Sequence, residues 1–175
     1  MQRKTIDFYQ WQIKPHHLWD KQWLVLTSGD LHAGKYNSMI VGWGGFGTLW
    51  NKPFALVLVR PQRYTFEFME KFDTFTLSAL PEKYRKALDL IGTQSGRDMN
   101  KLTSTGLTPI PSTMVSAPGL DEADLIIECQ KSYWQDLDPR HFLTPSITKQ
   151  YPQQDYHRVY YGEILSISAT KEFIE

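Results

Sequence analysis

The sequence predicts a mostly β protein with small helices, its strands curled into a closed barrel and the helices covering it. Three observations carry this reading. Apolar runs are short and end in clusters of Gly, Pro, Asn, Asp or Ser, which is the punctuation of strands. Helical spacing persists for only two or three turns wherever it occurs. Finally, 175 residues suffice for one core, since a chain of this size buries roughly 70% of its unfolded surface. We therefore expect one domain over residues 1–175, with no internal repeat.

The elements follow in order. Residues 23–27 (WLVLT) form an apolar strand closed by Ser28-Gly29-Asp30. Strands follow at 36–43, at 54–59 between Pro53 and Arg60-Pro61, and at 75–80. Residues 125–129 carry apolar side chains on both faces, as a buried strand does. The last strand spans 159–167, and Gly162 inside it marks a bulge. Thr65, Phe68, Met69 and Phe72 recur at i, i+3, i+4 and i+7 as one buried helical stripe. Tyr84, Ala87, Leu88 and Ile91 repeat the spacing, with Pro81 in the first turn and Gly92 as the stop. A third helix spans about 97–105 and ends at Gly106. Residues 107–119 and 136–155 read as long loops, which are usually functional, ordered by a partner, or disordered.

Composition excludes several classes. Lys+Arg and Asp+Glu both number 19, so no basic field points to nucleic acid. The charge-free stretch 102–120 holds three prolines and seven Ser/Thr residues, which a membrane span does not tolerate. The start, MQRKTIDFYQW, has no apolar core of a secretion signal. One cysteine, Cys129, leaves no internal disulfide framework and fits a reducing cytoplasm. That cysteine and five scattered histidines have no metal-ligand spacing. Cys129 reads as a small buried hydrophobe, and His16-His17 as surface residues. Aromatics make up 14% of the chain; they fill a core or line a site for a flat conjugated ligand, and composition does not choose.

Three segments carry candidate chemistry. Gly42-Trp43-Gly44-Gly45-Phe46-Gly47 matches G-x-G-x-x-G literally. However, Pro53 and a new strand follow at once, leaving no helix to hold a pyrophosphate. These glycines instead read as a loop where backbone turns sharply or approaches a ligand. Arg60, Arg63, Tyr64 and Thr65 sit where a strand ends and a helix begins, a place where N–H groups and guanidinium groups bind anions. The same pattern fits an ordinary turn with Thr65 near the N-cap. Ser95, Gly96, Arg97 and Lys101 repeat the theme, as a phosphate nest or as a plain helix start with Asp98 in its first turn. His157 lies between a loop and a strand, beside Asp155 and Arg158. No nucleophile elbow (G-x-S-x-G) occurs.

Taken in order, YNSMIVGWGG, RYTFEFMEKFDTFTLSAL, GTQSGRDMNKL, GLTPIP, EADLIIEC and YHRVYYGEI resemble the flavoredoxin and flavin reductase-like family. The resemblance runs from about Trp23 to Ile167 and implies an FMN-binding split β-barrel, a homodimer, and FMN near the subunit interface. It implies that Asn37, Ser38, Met39, Ile40, Val41, Gly42 and Trp43 run beside the isoalloxazine, largely through backbone. Arg60, Arg63, Tyr64 and Thr65, with Ser95, Gly96, Arg97 and Lys101, would then contact the phosphate or ribityl chain. His157 would lie near the reactive face, where many relatives read Gly-Asp-His and this chain reads Asp155-Tyr156-His157. The stretch Tyr133-Trp134-Gln135-Asp136 departs from the commonest pattern and is expected to cover the flavin. The implied activity is hydride or electron transfer through FMN with NADH or NADPH as donor. The alternative is a flavoredoxin-type carrier that takes electrons from a redox protein partner. A binder of haem, another flavin or no redox ligand is the third reading.

Overall fold

A computed structural model describes residues 2–174; the expectation of one domain over 1–175 lies outside the described residues at its two end positions. Among the described residues ten strands occur: β1 (Lys4–Ile6), β2 (Leu24–Asp30), β3 (Lys35–Val41), β4 (Gly44–Leu49), β5 (Lys52–Val59), β6 (Thr74–Ala79), β7 (Pro109–Ile110), β8 (Gly119–Leu120), β9 (Leu125–Asp136) and β10 (Arg158–Ala169). The α-helices among the described residues are α1 (Tyr64–Lys71), α2 (Arg85–Thr93), α3 (Lys101–Thr105) and α4 (Pro145–Thr148), and a six-residue π-helix spans His17–Gln22. No helix among the described residues is long and apolar enough to cross a membrane.

The main sheet runs β3-β2-β6-β9-β10-β5-β4, with every pairing antiparallel. β5 takes the first half of β10, and β1 takes its end. β3 and β4 are the two ends of this path, and among the described residues no ladder joins them. The expected closed barrel is therefore a split one, with an open seam.

Strand alternation sets the core. Leu24 and Leu26 point into the barrel beside Phe75, Leu77, Ile127 and Tyr160, all of them buried. Val25 points the other way, into a second cluster with Leu88, Ile91, Leu102 and Ile126. The strand is thus covered on both faces, by the barrel interior and by α2 with α3, which is why WLVLT is apolar without interruption. Each large apolar side chain buried this way contributes about 1.5–3 kcal/mol. The stripe expected on α1 divides: Thr65 and Met69 are buried, whereas Phe68 and Phe72 are half-buried and face outward with Tyr64.

Several boundaries move. The glycine-rich segment expected as a loop is strand β4, paired Gly44↔Val57 through Leu49↔Lys52. A Cβ at Gly44 would collide with the Trp19 ring and stand 2.5 Å from the Leu56 carbonyl oxygen. That glycine serves a close approach of protein to protein, not of protein to ligand. The β4–β5 turn puts Trp50 (φ 53°) and Asn51 (φ 59°) in the left-handed region, as a two-residue type I′ hairpin requires. Gly92 lies inside α2, which continues to Thr93. The third helix starts at Lys101 rather than near Arg97, because the Asn100 side chain caps it by accepting from the Thr103 N–H at 3.2 Å. Gly106 then ends it in the left-handed conformation at φ 69°. The expected bulge at Gly162 is present as a register shift between Tyr161 and Gly162. Cys129 is buried, and His16 and His17 are exposed.

Candidate functional site

A cavity of about 310 Å³ opens beside β3, between the start of α1 and the loop that leaves α2. Met39 and Ile40 line it from β3, Arg63 and Thr65 from the α1 start, and Ser95, Gly96 and Lys101 from the loop and α3. The two anion-binding segments read from the sequence thus converge on one space.

Its electrostatics are one-sided. Lys101 is buried, and its Nζ donates to the Ile91 carbonyl at 3.1 Å. Burial first, and the Arg63 charge second, pull the Lys101 pKa down to about 8. Among the described residues the Arg63 side chain reaches only the Gly92 carbonyl, at 3.4 Å. Arg63 is also the N-cap of α1 and supplies no side-chain cap, so Thr65 is not the capping residue. The first amides of that helix carry its positive dipole end into the space. Two converging cations over an uncapped helix start are disfavoured without an anion to offset them, and this donor set fits a phosphate monoester dianion.

Buried polar residues of β2 and β3 lie next to this space. Asn37 Nδ2 donates to Thr65 Oγ1 at 2.7 Å, which leaves the Thr65 hydroxyl hydrogen free to donate elsewhere. Ser38 and Thr27 pair through their hydroxyls at 2.8 Å. Gly96 is required here: a Cβ would overlap Asn37 Oδ1 and meet the Tyr64 ring at 3.0 Å. Among the described residues β3 pairs only with β2, so alternate backbone N–H groups along it point away from the sheet.

Arg60 and Arg97 lie apart from this space. Arg60 Nη1 meets Asp155 Oδ2 at 2.7 Å, its Nη2 donates to the Gln150 carbonyl at 2.9 Å, and it stands over the Tyr151 ring. Arg97 is held at the rim by Glu67, the Gln62 carbonyl and the Tyr64 ring. Neither guanidinium lines the cavity.

His157 belongs to a second cluster. It is 8% exposed, lies beneath the Trp43 ring (centroids 4.9 Å apart) and shares a 2.8 Å hydrogen bond from Nδ1 to the Tyr151 hydroxyl. Burial, and then the Arg60 charge, lower its pKa to about 4, so the imidazole is neutral near pH 7. Phe142 and Tyr156 pack on Tyr151 and complete the wall. Tyr151, Gln62, Gly92 and Gln94 were not foreseen from the sequence. Gln62 and Gln94 adjoin flagged residues in the same loops and Gly92 lies in the last turn of α2, while Tyr151 lies in a long loop with no local pattern. Tyr133 and Trp134, expected over the ligand, are strand residues of β9. They pair with Tyr161 and Tyr160, and Trp134 stacks under Arg158 at 3.6 Å.

Comparison with known proteins accords with this fold. The family model described as "Flavin reductase like domain" matches residues 21–172. The flavoredoxin of Desulfovibrio vulgaris (Miyazaki F) is 22% identical, with 89% of this chain and 73% of that one covered and a TM-score of 0.67. An FMN-binding domain of a flavin reductase-like enzyme from Shewanella baltica is 16% identical, at 96% and 77% coverage and a TM-score of 0.69. The NADH:FAD oxidoreductase of Streptomyces globisporus is 15% identical, at 87% and 77% coverage and a TM-score of 0.67. At these identities the structural likenesses establish the split barrel, and the family match spans most of the chain. The chain belongs to the flavin reductase-like family.

Proposed function

We propose that this chain binds FMN in the cavity beside β3 and works as a flavin-dependent oxidoreductase with NADH or NADPH as donor. One observation carries the proposal: buried Lys101 and exposed Arg63 converge on the uncapped start of α1 with no acid in the lining between them. FMN, when bound, supplies hydride or electron transfer. Arg63, Lys101 and the amides of Tyr64, Thr65, Ser95 and Gly96 hold its phosphate. The outward amides of β3, from Asn37 toward Trp43, run beside the ring system and donate to it. Neutral His157, held by Tyr151, keeps a proton-accepting or proton-donating nitrogen at the far end of that strand. The lone buried thiol supports a reducing, cytoplasmic setting.

A second reading has its own observation. His157 is covered by Trp43 and walled by Tyr151, which narrows the approach of a nicotinamide and favours a carrier fed by a redox protein. An absorbance spectrum of the purified protein, followed by anaerobic NADH and then NADPH, separates the two. Flavin bands that bleach on addition support the reductase and name its donor. Bands that persist until dithionite is added support the carrier. Colourless protein that takes up no added FMN overturns both.

The same reading includes a homodimer. β4 is an open sheet edge without a charged residue, the kind of edge that invites pairing. Beside it Trp50, Tyr133, Tyr161 and Phe54 form a continuous row of rings at 5.5–6.2 Å spacings, with Trp50 61% exposed.

A further inference from the structure

The loop between α4 and β10 buries a tyrosine in a fixed setting. Tyr151 is 3% exposed. Phe142 stacks on its ring at 5.9 Å, with planes at 21°, and Tyr156 closes another side at 5.1 Å. The Arg60 guanidinium stands over the same ring, 5.1 Å from its centroid. It also grips the loop on both sides of that ring, through the Gln150 carbonyl at 2.9 Å and Asp155 Oδ2 at 2.7 Å. Gln62 donates to the same Asp155 oxygen. The donors of a guanidinium lie in a rigid fork, so two anchors on one Arg hold the ring between them in place.

The Tyr151 hydroxyl has one partner among the described residues, His157 Nδ1 at 2.8 Å. Burial pushes the phenol above its ordinary range, so it keeps its proton near pH 7. A buried donor needs an acceptor, and Nδ1 of a neutral imidazole accepts only when the ring proton sits on Nε2. The reverse bond, from Nδ1–H to the phenol oxygen, would leave the phenol hydrogen without an acceptor among the described residues. Nε2 makes no hydrogen bond among those residues, yet it is not sealed from solvent. The charged groups facing His157 are Arg60 after β5, Asp155 in the loop and Arg63 at the start of α1. Burial first, then Arg60 and Arg63, keep the ring neutral against the opposing pull of Asp155.

We propose that Tyr151 is a positioning residue that fixes His157 as its Nε2–H tautomer, with Arg60 and Asp155 as the brace that holds Tyr151. Nε2–H is then presented as a hydrogen-bond donor at the Trp43 end of β3. That last step rests on the flavin reading of the cradle; the tautomer and its brace do not.

Nitrogen NMR of the full chain, labelled at histidine, reads the tautomer, and the His157 signals are those lost in His157→Gln. Near pH 7 the wild type should show a pyridine-like Nδ1 and a pyrrole-like Nε2. A proton on Nδ1 overturns the proposal, whether or not any variant folds. Tyr151→Phe keeps the ring and loses the hydroxyl. It should bring the two signals together as the tautomers mix, and raise the pH at which His157 protonates, because the lost bond favoured the neutral ring. Signals and titration unmoved in Tyr151→Phe overturn the positioning role. Arg60→Gln should mix the tautomers in the same way and leave FMN affinity unchanged; a loss of FMN as large as that in Arg63→Ala would make Arg60 a phosphate ligand and remove the brace. Added FMN should shift Nε2 and spare Nδ1. FMN that binds without moving Nε2 overturns its presentation to the flavin, whereas the expected tautomer in a chain that binds no FMN overturns the flavin reading and keeps the role of Tyr151.

Discussion

Lys101 has one carbonyl partner and a cationic neighbour, so its charge is held at a cost that a bound anion would offset. Lys101→Ala and Arg63→Ala are each expected to weaken FMN by about 1–3 kcal/mol, the range for losing a charge-assisted hydrogen bond. Riboflavin, which has no phosphate, should bind the variants and the wild type alike. Fluorescence titration of both flavins checks this, and equal losses for the two would move the phosphate elsewhere. His157 makes a separate prediction. Its folded pKa of about 4 lies below its ordinary 6.5, so between these values the unfolded chain binds a proton that the folded chain does not. Stability is therefore full above about pH 6.5 and falls as pH drops toward 4, by about 1–3 kcal/mol from this group. Urea midpoints across that window should flatten in His157→Gln, after subtraction of the variant's own offset at pH 7.

Elements that were plain from the sequence are those whose neighbours demand a simple pattern. β2 and β9 lie between two apolar layers, so WLVLT and LIIEC read as buried strands without help. β4 did not, because its glycines lack strand propensity and its pairing comes from β5 and from the Trp19 ring that crowds Gly44. The cradle was legible for a related reason: Arg63, Thr65, Ser95, Gly96 and Lys101 sit at helix starts or in the short loops ahead of them, where local sequence sets donor geometry. Arg60 and Arg97 were flagged beside them, yet their partners Asp155 and Glu67 lie 95 and 30 positions away. Local pattern carries no trace of such pairs. The bulge in β10 gives an element-level prediction. A Cβ at Gly162 would stand 2.6 Å from the Phe75 ring and 2.9 Å from Cys129 Cβ, and both those residues are fully buried. Gly162→Ala should destabilise the chain by about 1–3 kcal/mol, read as a lower denaturant midpoint with little change in its slope.

Across the whole molecule, the open β4 edge and its neighbouring rings predict self-association. Sedimentation velocity at micromolar concentration should give a dimer, and Trp50→Asn, which tolerates the left-handed φ at that turn, should weaken it about tenfold or more. A wild-type chain that sediments as a monomer at every concentration would remove the dimer from this reading. The seam between β3 and β4 has another consequence. A barrel that closed would spend the outward amides of β3 on a neighbouring strand and keep none for a ligand. The split leaves them unspent for the proposed flavin, but such a row of amides can equally receive a strand from another molecule. Cofactor supply during synthesis is therefore also a matter of solubility. Chains made faster than flavin is delivered carry a bare β edge, and excess apoprotein is the form expected in inclusion bodies.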